Sequence, residues 1–271
     1  MRIPFIKSRP IVSVVRLFGV IGGAARFRGG LSSAALAPVL EHAFQGSGTR
    51  AVALDINSPG GSPVQSAMIF RRIRTLALEH EVPVFAFAQD VAASGGYWLA
   101  LAGDRIYADG NSIVGSIGVI SGSFGLQEWL ARHGIERRMY TAGERKSFLD
   151  PFLPEKAEDV ARLKVLQQDM HQSFIEVVRE RRQGRLKGDD ATLFSGEFWT
   201  GRRALDLGLI DGLGDVGATM KAEFGDRTRF RVFGGDTVWW RRRLGVASPG
   251  ALAEELLAAV DSRLMWGRYG L

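Results

Sequence analysis

Short unbroken apolar runs alternate with amphipathic stretches along the first half of the chain. Val, Ile, Leu and Phe cluster from Ile11 to Ile21 ahead of a glycine turn, which predicts a first buried strand. Ser32 or Ser33 then caps a predicted helix running through Phe44, ended by Gly46 and Gly48. Ala51 to Ile56 reads as a short buried strand, followed by the loop Asn57-Ser58-Pro59-Gly60-Gly61. From Val64 to Glu79, Val64, Met68, Ile69, Ile73 and Leu76 fall on one face of a helix. Pro83 to Ala88 is a second continuous apolar strand, Val91 to Leu101 a loop and helix, and Arg105 to Ala108 a third strand. Strand and helix repeating at this spacing predict an α/β domain with parallel strands joined by right-handed crossovers.

The second half is less regular. Ser112 to Ser121 is β-rich, with Gly115 and Gly118 marking places where another group approaches the backbone closely. Leu126 to His133 predicts a short helix ended by Gly134. A long helix is expected from Pro154 to Gln183, with Leu163, Leu166, Met170, Phe174 and Val177 along one face. Arg202 to Gly214 gives a further helix and turn. The boundary near Gly234 divides a main domain, 1–233, from a basic, amphipathic C-terminal tail, 234–271. That tail opens with Trp239-Trp240-Arg241-Arg242-Arg243 and continues with Leu252, Leu256, Val260 and Leu264 at helical spacing. Trp beside Arg suits an anionic membrane interface, and packing against the body or a neighbouring subunit is the equal alternative.

Charge and composition narrow the chemistry. Among 271 residues there are 35 Lys and Arg against 29 Asp and Glu, a formal charge of +6. The bias is local, and the run Arg179, Arg181 and Arg182 reads as a solvated helix face. The basic surface is too narrow for a nucleic-acid partner. With no cysteine, disulfides, thiolate metal sites and a cysteine nucleophile are excluded, and any nucleophile is an oxygen or an amine. His42, His80, His133 and His171 lack metal-ligand spacing, so no metal site is expected. The basic start, Met1 to Arg9, precedes an apolar stretch from Ile11 to Ala25 in the manner of a secretory signal. That stretch carries Arg16 and three glycines and is too short to span a bilayer, so a cytoplasmic protein, at most peripheral to the inner membrane, is expected.

Three glycine loops stand where backbone N–H groups are free to bind an anion: Ser58-Pro59-Gly60-Gly61, Ser94-Gly95-Gly96 and Gly115-Ser116-Ile117-Gly118. Ser94, among small residues at a helix start, is either a simple N-cap or an accessible hydroxyl with the Gly95 N–H beside it. As a nucleophile it requires a base. His133 has no convincing acidic orienter. Lys146, in Gly143-Glu144-Arg145-Lys146, is either a base in apolar surroundings that favour its neutral amine or an ordinary loop lysine.

The ordered set Ser58-Pro59-Gly60-Gly61, Ala92-Ala93-Ser94-Gly95-Gly96-Tyr97, Gly115-Ser116-Ile117-Gly118-Val119-Ile120 and Gly143-Glu144-Arg145-Lys146 resembles the short-form signal peptide peptidase A proteins of the S49 serine peptidase family, over about Ile11 to Phe224. The resemblance implies a crotonase/Clp protease-like spiral of strand–helix units in which 1–233 is the peptidase domain. It further implies Ser94 as nucleophile, Lys146 as general base, Ser116 as the hydroxyl that orients the lysine, and the Gly61 and Gly95 N–H groups as oxyanion hole. The peptidase chemistry so implied needs no cofactor. The implied partners are extended apolar peptides, such as released signal peptides, and further copies of the chain in a ring-like oligomer. The membrane anchor found in many relatives is not detectable. Two rival readings remain: a crotonase-type acyl-CoA enzyme, which would want a carboxylate base, and a noncatalytic peptide-binding scaffold.

Overall fold

The computed structural model describes residues 9–22, 30–143, 145–234, 260 and 263–271. They divide into two compact units, Met1–Ile117 with Ile175–Leu271, and Gly118–Phe174. The tail residues Trp239 to Arg243, Leu252 and Leu256 lie outside the described residues.

In the first unit the order is β1 (Ile11–Phe18), α1 (Ser33–Gln45), β2 (Thr49–Ser58), α2 (Pro63–Glu79), β3 (Val84–Ala93), α3 (Gly95–Ala100), β4 (Arg105–Ala108) and β5 (Ile113–Gly115). The strand order β8-β1-β2-β3 is parallel throughout, β4 and β5 each add to β3 in parallel, and β8 is Arg229–Phe233. Continuous burial of Ala51 to Ile56 in β2 and Val84 to Ala88 in β3 explains their unbroken apolar runs, as expected where helices cover both faces. Val12, Val14, Ala51, Ala53, Phe85 and Phe87 form one face of the core with Met220.

Several boundaries differ from the sequence reading. The strand expected through Ile21 ends at Phe18, because Gly19 turns at φ +103° and its N–H donates to the Asn57 carbonyl at 2.8 Å. Ile21 instead makes isolated parallel bridges to Leu31 and Gly61. β3 does not stop at Ala88 but runs through the exposed Gln89 and Asp90 to Ala93, so the expected loop is strand. Of Ser112 to Ser121, only Ile113–Gly115 is strand, and the aromatic ring of Trp199 fills the space a Gly115 side chain would need.

In the second unit, α4 (Gln127–Arg132) and most of α5 (Ala157–Arg181) match their predicted positions. Along the α5 stripe burial is uneven: Phe174 is buried, whereas Leu166 and Met170 are each 43% exposed. No helix among the described residues is long and apolar enough to cross a membrane. The remaining elements belong to the first unit: α6 (Asp190–Leu193), β6 (Phe198–Thr200), α7 (Gly201–Asp206), β7 (Gly212–Leu213) and α8 (Val216–Phe224). β6 joins the edge of β5 antiparallel, and β7 pairs with β4.

The reading of Arg179, Arg181 and Arg182 as a solvated face holds only for Arg179. Arg182 is 1% exposed, with Nε and Nη2 donating to the Gly208 carbonyl at 2.9 and 2.8 Å and Nη1 to Asp211 Oδ2 at 2.7 Å. Arg181 donates to the Leu101 and Gly103 carbonyls. A periodicity argument places these side chains at a helix end but has no means of seeing the carbonyls that draw two of them inward.

Candidate active site

Ser94 sits at the corner between β3 and α3. Its backbone is at φ +52°, ψ −121°, a region costly for any residue with a side chain, and it persists because both flanks are fixed. The Ser94 N–H donates to the Gly115 carbonyl at 2.8 Å, and its carbonyl accepts from Trp98 N–H at 3.0 Å. Tyr97, fully buried, anchors α3 by donating its hydroxyl to the Leu209 carbonyl at 2.7 Å; burial pushes this phenol well above its ordinary pKa. Ser94 occupies the N-cap position but its side chain makes no capping hydrogen bond, so helix capping does not account for the residue.

The loop after β2 lies against this corner. A side-chain carbon added to Gly60 would stand 2.8 Å from both Ser94 Cβ and the Gly95 nitrogen, so only glycine permits the two loops to touch. The Gly60 carbonyl accepts from Ile21 N–H and the Ile21 carbonyl from Ser62 N–H, each at 2.8 Å. Neither Gly61 N–H nor Gly95 N–H donates to a protein group among the described residues. Two unused amide donors thus flank a partly exposed serine hydroxyl, an arrangement suited to a carbonyl that gains negative charge on attack. Ser116, also at positive φ and buried, directly follows the carbonyl that holds Ser94, and its own N–H donates to the Glu197 carbonyl at 2.7 Å.

Four of the five expected residues, Ser94, Gly95, Gly61 and Ser116, are therefore brought to one place in the first unit. Lys146 belongs to the second unit, on an exposed turn where its N–H donates to the Gly143 carbonyl at 3.2 Å. Beyond it, Asp150 pairs with Arg137 and accepts from Phe152 N–H at 3.0 Å, and these bonds hold its carboxyl below the usual range. Among the described residues no group of His, Asp and Glu could hold a metal ion.

Sequence reasoning missed the C-terminal residues Trp266 and Tyr269, which pack with Val91, Ala93 and Ile113, close to Ser94. Two aromatics near the chain's end carry no signal of where they dock.

Among curated proteins, the chain is 51% identical over 272 residues to a Brucella abortus protein named Na(+)/H(+) antiporter NhaA, covering 96% of this chain and 37% of that protein. The name describes the whole of a longer protein. It is also 30% identical over 220 residues to the chloroplastic serine protease SPPA of Arabidopsis thaliana, covering 77% of this chain and 31% of that one. The chain thus spans about a third of the length of these curated relatives. Among solved structures it resembles a serine-to-alanine variant of the 1510-N membrane-bound stomatin-specific protease. The TM-score is 0.53 at 15% identity, over 84% of this chain and all of that one, and the fold is the expected crotonase/Clp protease-like α/β arrangement. Residues 77–223, more than half of the chain, match Peptidase family S49, and the chain belongs to that family.

Proposed function

We propose that the chain is a serine endopeptidase that hydrolyses extended apolar peptides, such as released signal peptides, with Ser94 as nucleophile and Lys146 as general base. The observation that carries this reading is the strained Ser94 corner between the unused N–H groups of Gly61 and Gly95. In the proposed reaction the neutral Lys146 amine takes the Ser94 proton as Oγ attacks the scissile carbonyl. The two glycine N–H groups hold the oxyanion, and the lysine returns the proton to the leaving amine. Water, deprotonated by the same amine, then releases the acyl group. Ser116 is proposed to orient the lysine. No metal or cofactor enters this scheme.

Lys146 is further proposed to serve a neighbouring copy of the chain, in a ring-like oligomer. Supporting this, residues 118–174 carry many exposed apolar side chains, among them Phe124, Trp129, Ile135 and Tyr140, more than a monomer ordinarily leaves to water. The basic run opening the segment 234–271 is proposed to touch an anionic lipid surface from the cytoplasmic side. Serine-directed fluorophosphonate labelling tests the central assignment: the wild type should be labelled at Ser94 and cleave an apolar peptide, and Ser94→Ala should do neither. A crotonase-type enzyme or a scaffold would resist the label.

A further inference from the structure

The proposed oxyanion donor Gly61 N–H lies on two consecutive glycines with φ of +105° and +143°. Lacking side chains, they have no packing of their own to hold them, so the aim of each N–H depends on what its peptide plane is tied to. A trans peptide points its C=O and N–H in opposite directions. In the Gly60–Gly61 plane the carbonyl is tied to Ile21 N–H, which directs Gly61 N–H away from Ile21. The preceding plane, Pro59–Gly60, is held at both ends. Gly60 N–H donates to Ser58 Oγ at 3.2 Å, and the Pro59 carbonyl accepts from the Tyr269 hydroxyl at 3.4 Å.

Tyr269 is placed independently of that long hydrogen bond. It is 7% exposed, its ring packs with Val91 and Ala93 of β3, and Phe198 meets it edge-on with ring centroids 5.1 Å apart. One side chain therefore touches both halves of the site: its ring rests on the strand that ends at Ser94, and its hydroxyl reaches the loop that leads to Gly61. Packing at Ala93 fixes where the hydroxyl stands, and the hydroxyl limits rotation of the Pro59–Gly60 plane.

We infer that Tyr269 is a positioning residue for the oxyanion loop, setting the distance between Gly61 N–H and Ser94 through its bond to Pro59. The inference rests on the peptidase reading and goes beyond it, since it gives Tyr269, two residues from the last, a role in setting the site's geometry. Tyr269→Phe removes only the hydroxyl and keeps the ring. It should lower kcat on a short apolar peptide about five- to tenfold, less than the loss of a whole oxyanion donor, with KM within about twofold, because the donor acts on the transition state. Amide hydrogen exchange at Gly60 should quicken while the thermal midpoint stays nearly unchanged. Trp266→Leu, which disturbs the same cluster without a bond to the loop, should lower the midpoint and leave kcat near wild type.

Unchanged kcat or unchanged Gly60 exchange in Tyr269→Phe, beside an inactive Ser94→Ala, overturns the inference and leaves the peptidase reading intact. A kcat loss that follows the thermal midpoint in both variants also overturns it, since a merely structural role predicts that. Full turnover in Ser94→Ala overturns the peptidase reading, and the positioning role falls with it.

Discussion

From Gly95 to Gly103 every residue is buried, whereas no described residue from Ser121 to Lys146 is. The first stretch follows a strand in the middle of a sheet; the Ser94 N–H that leads into it is tied to the Gly115 carbonyl, and the Tyr97 hydroxyl within it to the Leu209 carbonyl. The second has one short helix, α4, with no buried residue, and Trp129 on it stands 54% exposed. A nucleophile held at a strained φ needs the over-determined setting of the first region. A segment like the second has little of its own to define a rigid geometry, so a base carried there must gain its dry surroundings from contacts the single chain does not make. The contrast is what a site divided between copies would require.

The strongest test of that division is complementation. Ser94→Ala and Lys146→Ala should each lower turnover by about 10⁶-fold, as loss of a nucleophile or its base does. Thermal unfolding should hardly change for Lys146→Ala, whose side chain is exposed. Refolding the two variants together in equal amounts should restore about a quarter of the sites, those where an intact serine meets an intact lysine across a contact between copies. A dyad within one chain predicts no recovery from proven mixed oligomers.

The two regions should also differ in stability. Arg182→Ala empties a buried space, strips the Gly208 carbonyl of its side-chain donors and leaves the half-buried Asp211 only Arg185 and the Ile106 N–H, and should cost about 3 kcal/mol in denaturant unfolding, the low end for a broken buried pair. Arg179, three residues earlier in the last turn of α5 and exposed, pairs with Asp190 at the surface, and Arg179→Ala should change stability by less than about 1 kcal/mol. Equal losses would mean that the buried arginine is not the brace its bonds imply.

How much of this was legible in the sequence follows the same contrast. The glycine loops and the parallel strands could be read because burial on both faces leaves continuous apolar runs and close backbone approach demands glycine. Gln89 and Asp90 hid the continuation of β3, since two exposed polar residues look like a turn when the neighbouring strands are unseen. Leu166 and Met170 gave a true helical stripe, yet periodicity reports which residues share a face and not what covers it. Arg182 and Tyr269 were missed because their partners, Gly208, Asp211 and Pro59, are backbone groups or residues distant in sequence.

Glycine substitutions sharpen the comparison at the next level. Gly60→Ala would drive a methyl into Ser94 Cβ and the Gly95 nitrogen at a φ of +105°, so kcat should fall about 10²–10³-fold, the range seen when an oxyanion donor is displaced. Gly134, after α4, also has a positive φ, +63°, but nothing lies within 4 Å of an added Cβ. Gly134→Ala should then cost about 1 kcal/mol of local strain and leave kcat within about twofold. Comparable losses of activity would mean that the second region is as tightly defined as the first.

The smallest expected effect is on pH. Asp211 in the first unit and Asp150 in the second are both held below the ordinary value of 3.8. For Asp211, burial acts upward, but bonds from Arg182 and from Ile106 N–H prevail. For Asp150 the Phe152 N–H and Arg137 act on a surface loop. In both cases the unfolded chain binds its proton more tightly, so the group contributes stability above the unfolded value near 3.8 that is lost as pH falls through the lower folded value. Asp211 ties β4 to the turn after α5, so its protonation should register in global unfolding. Asp150 ties only its own loop, so acid should loosen the Lys146 turn without moving the global midpoint. Asp211→Asn should therefore lower the midpoint at pH 7 and flatten its fall between about pH 4 and pH 2, while Asp150→Asn should change only amide exchange in residues 145–153. A global midpoint that responds equally to both substitutions would show that the exposed segment unfolds together with the core.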